Sequence, residues 1–296
     1  MRKILVLVLI QSMIIILLCG CYKNETGNLF SEHYTQKSDN NVNNIIVPSG
    51  NTIETRFAVP YGYKRIEFEK GSLAHFLRNY EMKTDGSPVL LYDGREKNNQ
   101  DAHAAVFALP IENADLQQCA DSVMRVYAEY YRSVGQEDKI SFYFTNGFLC
   151  EYSKWKDGYR INQNGNETKW KKSAEAEETY ENFVKYMRII FSYAGTASME
   201  KYETHAIKLS EMEPGDVILK GGSPGHVVMV TDVCINDSGN KAFLLAQGYM
   251  PAQEFHVIKN PAHEDDPWYY ENEMEFPLKT AEYTFDDENM IKRLLY

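Results

Sequence analysis

Pro214-Gly215-Asp216-Val217-Ile218-Leu219-Lys220-Gly221-Gly222-Ser223-Pro224-Gly225-His226-Val227-Val228-Met229-Val230 is the stretch that decides the fold. Residues 216–219 read as a short strand and 221–225 as a glycine-rich connection. Residues 226–233 read as a buried strand, because a short apolar run bounded by turn residues needs cover on both faces. A turn at 236–240 leads to a strand over 242–247, and another follows near 254–258. Short consecutive strands with no helix between them pair antiparallel.

Upstream, the apolar period changes. Leu116, Cys119, Ala120, Val123, Met124, Tyr127, Tyr130 and Tyr131 recur at three- and four-residue steps. This spacing predicts a helix over 115–132, with Asp115 and Gln118 as its capping box and Cys119 at about its fourth residue. Strands are expected over 87–92, running into Asp93-Gly94, and over 104–111. A hairpin of 140–145 with 148–152 is expected around Asn146-Gly147. A polar stretch over 162–172 then leads into a second helix, 177–193, ended near Gly195. The fold class is α+β, a helix carrying Cys119 packed on an antiparallel sheet, with insertions. The acidic, Tyr-rich tail beyond His263 carries no local signal.

Of the 296 residues, 44% are hydrophobic and 25% charged, the balance of a folded protein. The net charge of −11, with no basic cluster, lacks the phosphate-neutralising surface that nucleic-acid affinity requires, so nucleic acid is excluded as a partner. At the start, Arg2 and Lys3 precede an apolar run over 4–18 that is too short to cross a bilayer, which is the pattern of a signal peptide. Leu18-Cys19-Gly20-Cys21 resembles the lipobox of bacterial lipoproteins, which implies cleavage after residue 20 and lipid on Cys21. The Asn-rich segment from 22 to 52 has neither helical nor strand period and reads as a flexible tether. The expected organisation is therefore a signal peptide over 1–20, a tether over 21–52 and a single α+β domain over 53–296. The expected location is the bacterial envelope, on a membrane outside the cytoplasm.

The candidate chemistry lies on three elements. Cys119 sits at a helix start, where unpaired backbone N–H groups favour a thiolate; the competing reading buries it on the apolar stripe. His226 opens the buried strand directly after the glycine-rich loop. If the 236–240 turn pairs Val233 with Ala242, Gln247 lies opposite Val228 and shares a face with His226, close enough to orient its ring. Asp232 shares that face by parity but stands about 20 Å along the strand, too far to be the third member. Gln118 reads either as an oxyanion donor or as a cap. His103 and His256 lack metal-ligand spacing, and neither a metal nor a cofactor is expected. Cys150 and Cys234 are free to pair or to stay reduced. Trp155, Trp170 and Trp268 suit sugar stacking or packing.

Nucleophile on a helix, base on a strand and a polar orienter on the next strand is the logic of papain-like cysteine catalysis. Pro214-Gly215-Asp216-Val217-Ile218-Leu219 with Gly225-His226-Val227-Val228-Met229-Val230 resembles the Pro-Gly-Asp and Gly-His strands of NlpC/P60 and CHAP-type cell-wall hydrolases. The resemblance implies Cys119 as nucleophile, His226 as base and Gln247 as orienter. A catalytic Cys119 is expected to ionise below about 8.5.

More of the chain is similar to bacterial proteins grouped as domain of unknown function 4846. The similarity lies in Leu90-Leu91-Tyr92-Asp93-Gly94, Gln100-Asp101-Ala102-His103-Ala104-Ala105, Asp115-Leu116-Gln117-Gln118-Cys119-Ala120-Asp121, Tyr193-Ala194-Gly195-Thr196 and Ala246-Gln247-Gly248-Tyr249-Met250-Pro251-Ala252-Gln253. Together these resemblances lead to the expectation of a lipid-anchored hydrolase or transferase acting on an amide or ester bond of cell-wall or envelope material, peptidoglycan among them. A non-catalytic lipoprotein that uses the fold to bind an envelope polymer or protein is the alternative.

Overall fold

The computed structural model describes residues 44–165 and 167–296. The signal peptide, Cys21 and the tether through residue 43 lie outside the described residues. The first half of the described chain comprises α1 (Ile53–Arg56), β1 (Tyr63–Arg65), α2 (Leu73–Asn79), β2 (His103–Val106), α3 (Cys119–Ser133), β3 (Ser141–Tyr143) and β4 (Leu149–Glu151). There follow α4 (Tyr152–Lys156), β5 (Tyr159–Asn164), β6 (Glu167–Lys172), α5 (Tyr180–Tyr193), α6 (Thr196–Tyr202) and β7 (Thr204–Ala206). The last third of the described residues has no α-helix and contributes eight strands: β8 (Val217–Lys220), β9 (His226–Asn236), β10 (Lys241–Gln247), β11 (His256–Ile258), β12 (Tyr269–Tyr270), β13 (Leu278–Lys279), β14 (Thr284–Phe285) and β15 (Ile291–Leu294).

Nine strands form one antiparallel sheet in the order β2-β11-β10-β9-β8-β15-β7, with β1 also on β9 and β12 also on β10. The α+β class read from the sequence is what the structure shows. The apolar run over 227–230 of β9 has its cause in two layers of cover. Val217, Leu219, Val227, Met229, Leu244 and Ala246 share one core with Val123 and Met124 of α3. Ile218, Val228, Val230, Phe243 and Leu245 face a second core, closed by Met274, Leu278 and Phe285 of the C-terminal tail. The tail without local signal is thus the lid of the second face.

The register between β9 and β10 differs from the regular hairpin that the sequence suggested. Near the turn Cys234 faces Ala242 and Val233 faces Phe243, one residue out of step. A β-bulge at Thr231, whose hydroxyl donates to Leu244 O at 3.2 Å, absorbs the offset, so that Met229 faces Ala246 and the next pair along is Val228 with Gln247. His226 and Gln247 therefore do share a face. The bulge also reverses parity beyond it, and Asp232 falls on the α3 side, opposite His226. There, fully buried, it accepts from Arg78 Nε and Nη2 (2.9 and 2.6 Å) and from Arg65 Nε (2.9 Å).

Other differences have local reasons. Only Leu90 and Leu91 of 87–92 make bridges, with Glu96 and Gln253, because Asp93-Gly94 folds the chain back at once. The strand expected over 104–111 is confined to His103–Val106. The polar 162–172 stretch is a solvated hairpin, β5 with β6, whose polar faces hide its strand period. Residues 45–47, read as the end of the tether, bridge Ile46 to Phe57, with Val47 N–H donating to Arg56 O. The 140–152 hairpin forms as expected, and the helix expected over 177–193 runs over 180–193, with Thr179 as its N-cap. Among the described residues no helix is long and apolar enough to cross a membrane.

Candidate active site

The start of α3 is built differently from the capping box that the sequence suggested. Gln118, extended at φ −88°, is the N-cap, and its N–H donates to Asp121 Oδ2 at 3.0 Å. Asp115 stands outside the helix. Its Oδ1 accepts from Gln118 Nε2 at 3.2 Å and from Ala252 N–H at 2.7 Å, tying the helix start to the loop after β10. Cys119 is consequently the first helical residue, among the unpaired N–H groups of a fifteen-residue helix.

Two glycines allow the starts of α3 and α6 to approach the sheet, Gly248 the first and Gly225 the second. A Cβ on Gly248 would lie 2.3 Å from Ser122 Oγ and 2.9 Å from Gln118 O. One on Gly225 would lie 2.4 Å from Thr196 Oγ1 and 2.5 Å from Gly222 O. Between α3, the start of α6 and the 222–225 loop is a cleft of about 300 Å³, lined by Gln118, Cys119, Asp121, Thr196, Gly225 and Met250 among others.

Cys119 is 6% exposed, at the wall of this cleft. The backbone N–H groups of Ala120 and Val227 favour its thiolate. That support is outweighed. Burial, with the neighbouring Asp121 charge, pushes the thiol up to about 11, against the expectation of a thiol ionising below about 8.5. Asp121 itself is buried, its carboxyl raised well above the usual range by desolvation, and its Oδ1 has no partner.

His226 is 1% exposed and turns to the face opposite α3. There its ring packs on Tyr249 and Tyr283, each with centroids 4.8 Å away, and on Phe285. Its Nε2 lies 2.8 Å from Gln247 Oε1, the pairing that the sequence proposed. Burial lowers its pKa to about 4, opposed in part by that hydrogen bond and by the Glu282 charge. His226 and Gln247 are thus brought together. Cys119 is brought to the neighbouring backbone, and among the described residues no hydrogen bond joins it to His226. Gln118 lines the cleft with its amide held by Asp115.

Sequence reasoning missed the groups behind Gln247. Its Nε2 donates to Glu282 Oε2 at 2.8 Å, and Glu282 is ion-paired with Lys97. Desolvation opposes the Glu282 charge, but the ion pair and hydrogen bond with Lys97 prevail and hold its carboxyl down to about 2. Tyr249 OH donates to Glu282 O at 3.4 Å. Glu282 lies 35 residues beyond Gln247 in the tail, and no local pattern marks it.

The remaining candidates have structural partners. His103 Nε2 meets Ser87 O at 3.1 Å and His256 Nδ1 meets Glu254 O at 2.8 Å. Among the described residues no cluster could hold a metal. Cys119, Cys150 and Cys234 are all free, so the pairing left open for the last two is not formed. Trp155 and Trp268 are buried, their indole N–H groups donating to Asn182 and to Ala58 O.

Fold and site together define an α+β protein in which a cysteine-headed helix meets an antiparallel sheet beside a buried histidine–glutamine pair. The family model described as Domain of unknown function (4846) matches residues 53–293, and the chain belongs to that family. No curated protein and no solved structure matches it.

Proposed function

We propose that the protein is a lipid-anchored envelope hydrolase or transferase with a papain-like, NlpC/P60- or CHAP-type core, acting on an amide or ester bond of cell-wall or envelope material. One observation carries this reading: Gln247 Oε1 holds His226 Nε2 at 2.8 Å at the end of β9 that borders the cleft lined by Cys119 and Gly225. A buried imidazole oriented by a buried amide, together with a thiol at a helix N-terminus on a cleft, supplies the parts of a nucleophile, its base and the orienter of that base.

The resting pair is neutral. With the thiol up to about 11 and the imidazole down to about 4, both by burial, the neutral pair is strongly favoured over a thiolate–imidazolium pair. The thiol therefore acts by general-base catalysis. As Sγ attacks the acyl carbon, its proton passes to His226 Nδ1, and the carbonyl electron pair moves onto oxygen. Collapse expels the amine or alcohol, which takes the proton back from His226 and leaves a thioester on Cys119. Water or an acceptor amine then resolves that thioester. The step needs the His226 ring, which rests on the face of the sheet opposite α3, to turn until Nδ1 reaches hydrogen-bond distance of the sulfur with substrate in the cleft. The lipid on Cys21 and the tether keep the domain beside its membrane.

A second reading, a binding module for an envelope polymer, is favoured by the 6% exposure of Cys119 and its lack of a hydrogen bond to His226. Incubation with purified peptidoglycan fragments, followed by mass spectrometry, separates the two. The hydrolase reading expects new fragments from the parent protein and none from Cys119→Ala. Fragments retained but unaltered by both proteins would overturn it in favour of the binding module.

A further inference from the structure

The amide of a glutamine has two ends of similar shape and opposite polarity, and which end faces His226 decides which imidazole nitrogen carries the proton. The polarity here can be traced from two groups with only one role each. Lys97 Nζ only donates, and it pairs with Glu282 in a nearly sealed site, the two side chains 7% and 10% exposed. The ionised Glu282 only accepts. The Gln247 group 2.8 Å from Glu282 Oε2 must therefore be its NH2.

His256 reinforces the choice from the next strand. Its Nδ1 faces a backbone carbonyl, Glu254 O at 2.8 Å, and so carries the proton. Its Nε2 is left as an acceptor, 3.5 Å from Gln247 Nε2 and 3.4 Å from Lys97 Nζ. With the NH2 end fixed by two acceptors, Oε1 faces His226, whose Nε2 must donate.

We propose that Lys97, Glu282 and His256 are positioning residues that lock the Gln247 amide and thereby hold His226 as its Nε2–H tautomer, with Nδ1 free to accept a proton. The consequence for catalysis rests on the hydrolase reading, whereas the lock itself is read without turnover. A flipped amide would set two N–H groups against each other and leave buried donors unpaired. The preference for the Nε2–H form is accordingly about tenfold or more.

The test is long-range proton–nitrogen correlation spectroscopy at pH 7 on the full chain labelled with 15N-histidine, with the His226 signals assigned by their loss in His226→Gln. The expected result is a protonated Nε2 and bare Nδ1 in the parent protein. In Lys97→Met/Glu282→Leu the other tautomer should rise at least about fivefold, as one orienting hydrogen bond is lost. Glu282→Gln keeps an acceptor oxygen and should restore the parent pattern. A parent protein with Nδ1 protonated, or a double variant that keeps a single Nε2–H form, would overturn the proposal. Should the double variant not fold, exchange of the Gln247 side-chain amide in the parent protein decides. Protection like that of the sheet backbone supports the lock, and exchange as fast as an exposed amide refutes it. An Nε2–H His226 in a protein without hydrolytic activity would refute the hydrolase reading and leave the lock standing.

Discussion

Alkylation of Cys119 by iodoacetamide should be slow at neutral pH and nearly indifferent to His226→Ala. An ordinary thiol near 8.5 is about one-tenth thiolate at pH 7.5. Cys119, pushed up to about 11 by burial, is thiolate in roughly three molecules in ten thousand, an approximately 300-fold deficit. The higher intrinsic nucleophilicity of a more basic thiolate returns about a factor of ten. Labelling should therefore run about 30-fold slower than for a free thiol, its logarithm rising about one unit per pH unit toward pH 10. Because His226, held down to about 4, is uncharged throughout this range, its replacement by alanine removes no stabilising cation, and the profile should shift little. The assay is peptide mapping of carbamidomethylated protein after timed quenching. Cys150 and Cys234 report the background, since both are fully buried with thiols raised by desolvation. An inflection below about pH 8.5 at Cys119 that disappears in His226→Ala would refute the reasoning, because it requires a preformed ion pair.

Two stability predictions come from the buried charges. Asp232→Asn leaves the Arg78 and Arg65 guanidinium groups facing a neutral partner and should cost about 3–5 kcal/mol by urea denaturation; a loss below about 1 kcal/mol would refute the pairing. Burial raises the Glu203 carboxyl to about 7, despite hydrogen bonds from Tyr296 OH and Tyr143 N–H. The folded state thus holds that proton more tightly than the unfolded chain. Its contribution is full below about 4.5 and is lost as pH rises through 7, by roughly 3 kcal/mol. Glu203→Gln, which cannot ionise, should flatten the fall in stability between pH 5 and 8, and an unchanged slope would contradict the assignment.

Much of the sheet could be read from the chain because its determinants are local. The apolar run of β9, the punctuation at 221–225 and the turn at 236–240 each act within a few residues. For the same reason the three- and four-residue spacing of Cys119, Val123, Met124 and Tyr127 marked α3. What escaped depends on contacts distant in sequence. The bulge at Thr231 preserved the His226–Gln247 pairing while moving Asp232 to the other face, and nothing in Val230-Thr231-Asp232-Val233 announces it. Glu282 and Lys97 look like ordinary surface charges until the tail folds over the second face of the sheet and buries them beside Gln247. The burial of Cys119 was legible as the competing reading, from its place on the apolar stripe; the high thiol that results was not, because a helix start favours a thiolate only while solvent or a cation shares the charge. Here the sheet and the Asp121 side chain close around it.

Catalysis by this route requires that Cys119 carry an acyl group during turnover. Acid-quenched incubations of the full chain with peptidoglycan fragments, read by intact mass and peptide mapping, should show a thioester on Cys119 in the parent protein, and none in His226→Ala or Cys119→Ala. Cleavage that proceeds in Cys119→Ala, or an unmodified Cys119 in every quenched sample, would contradict the account.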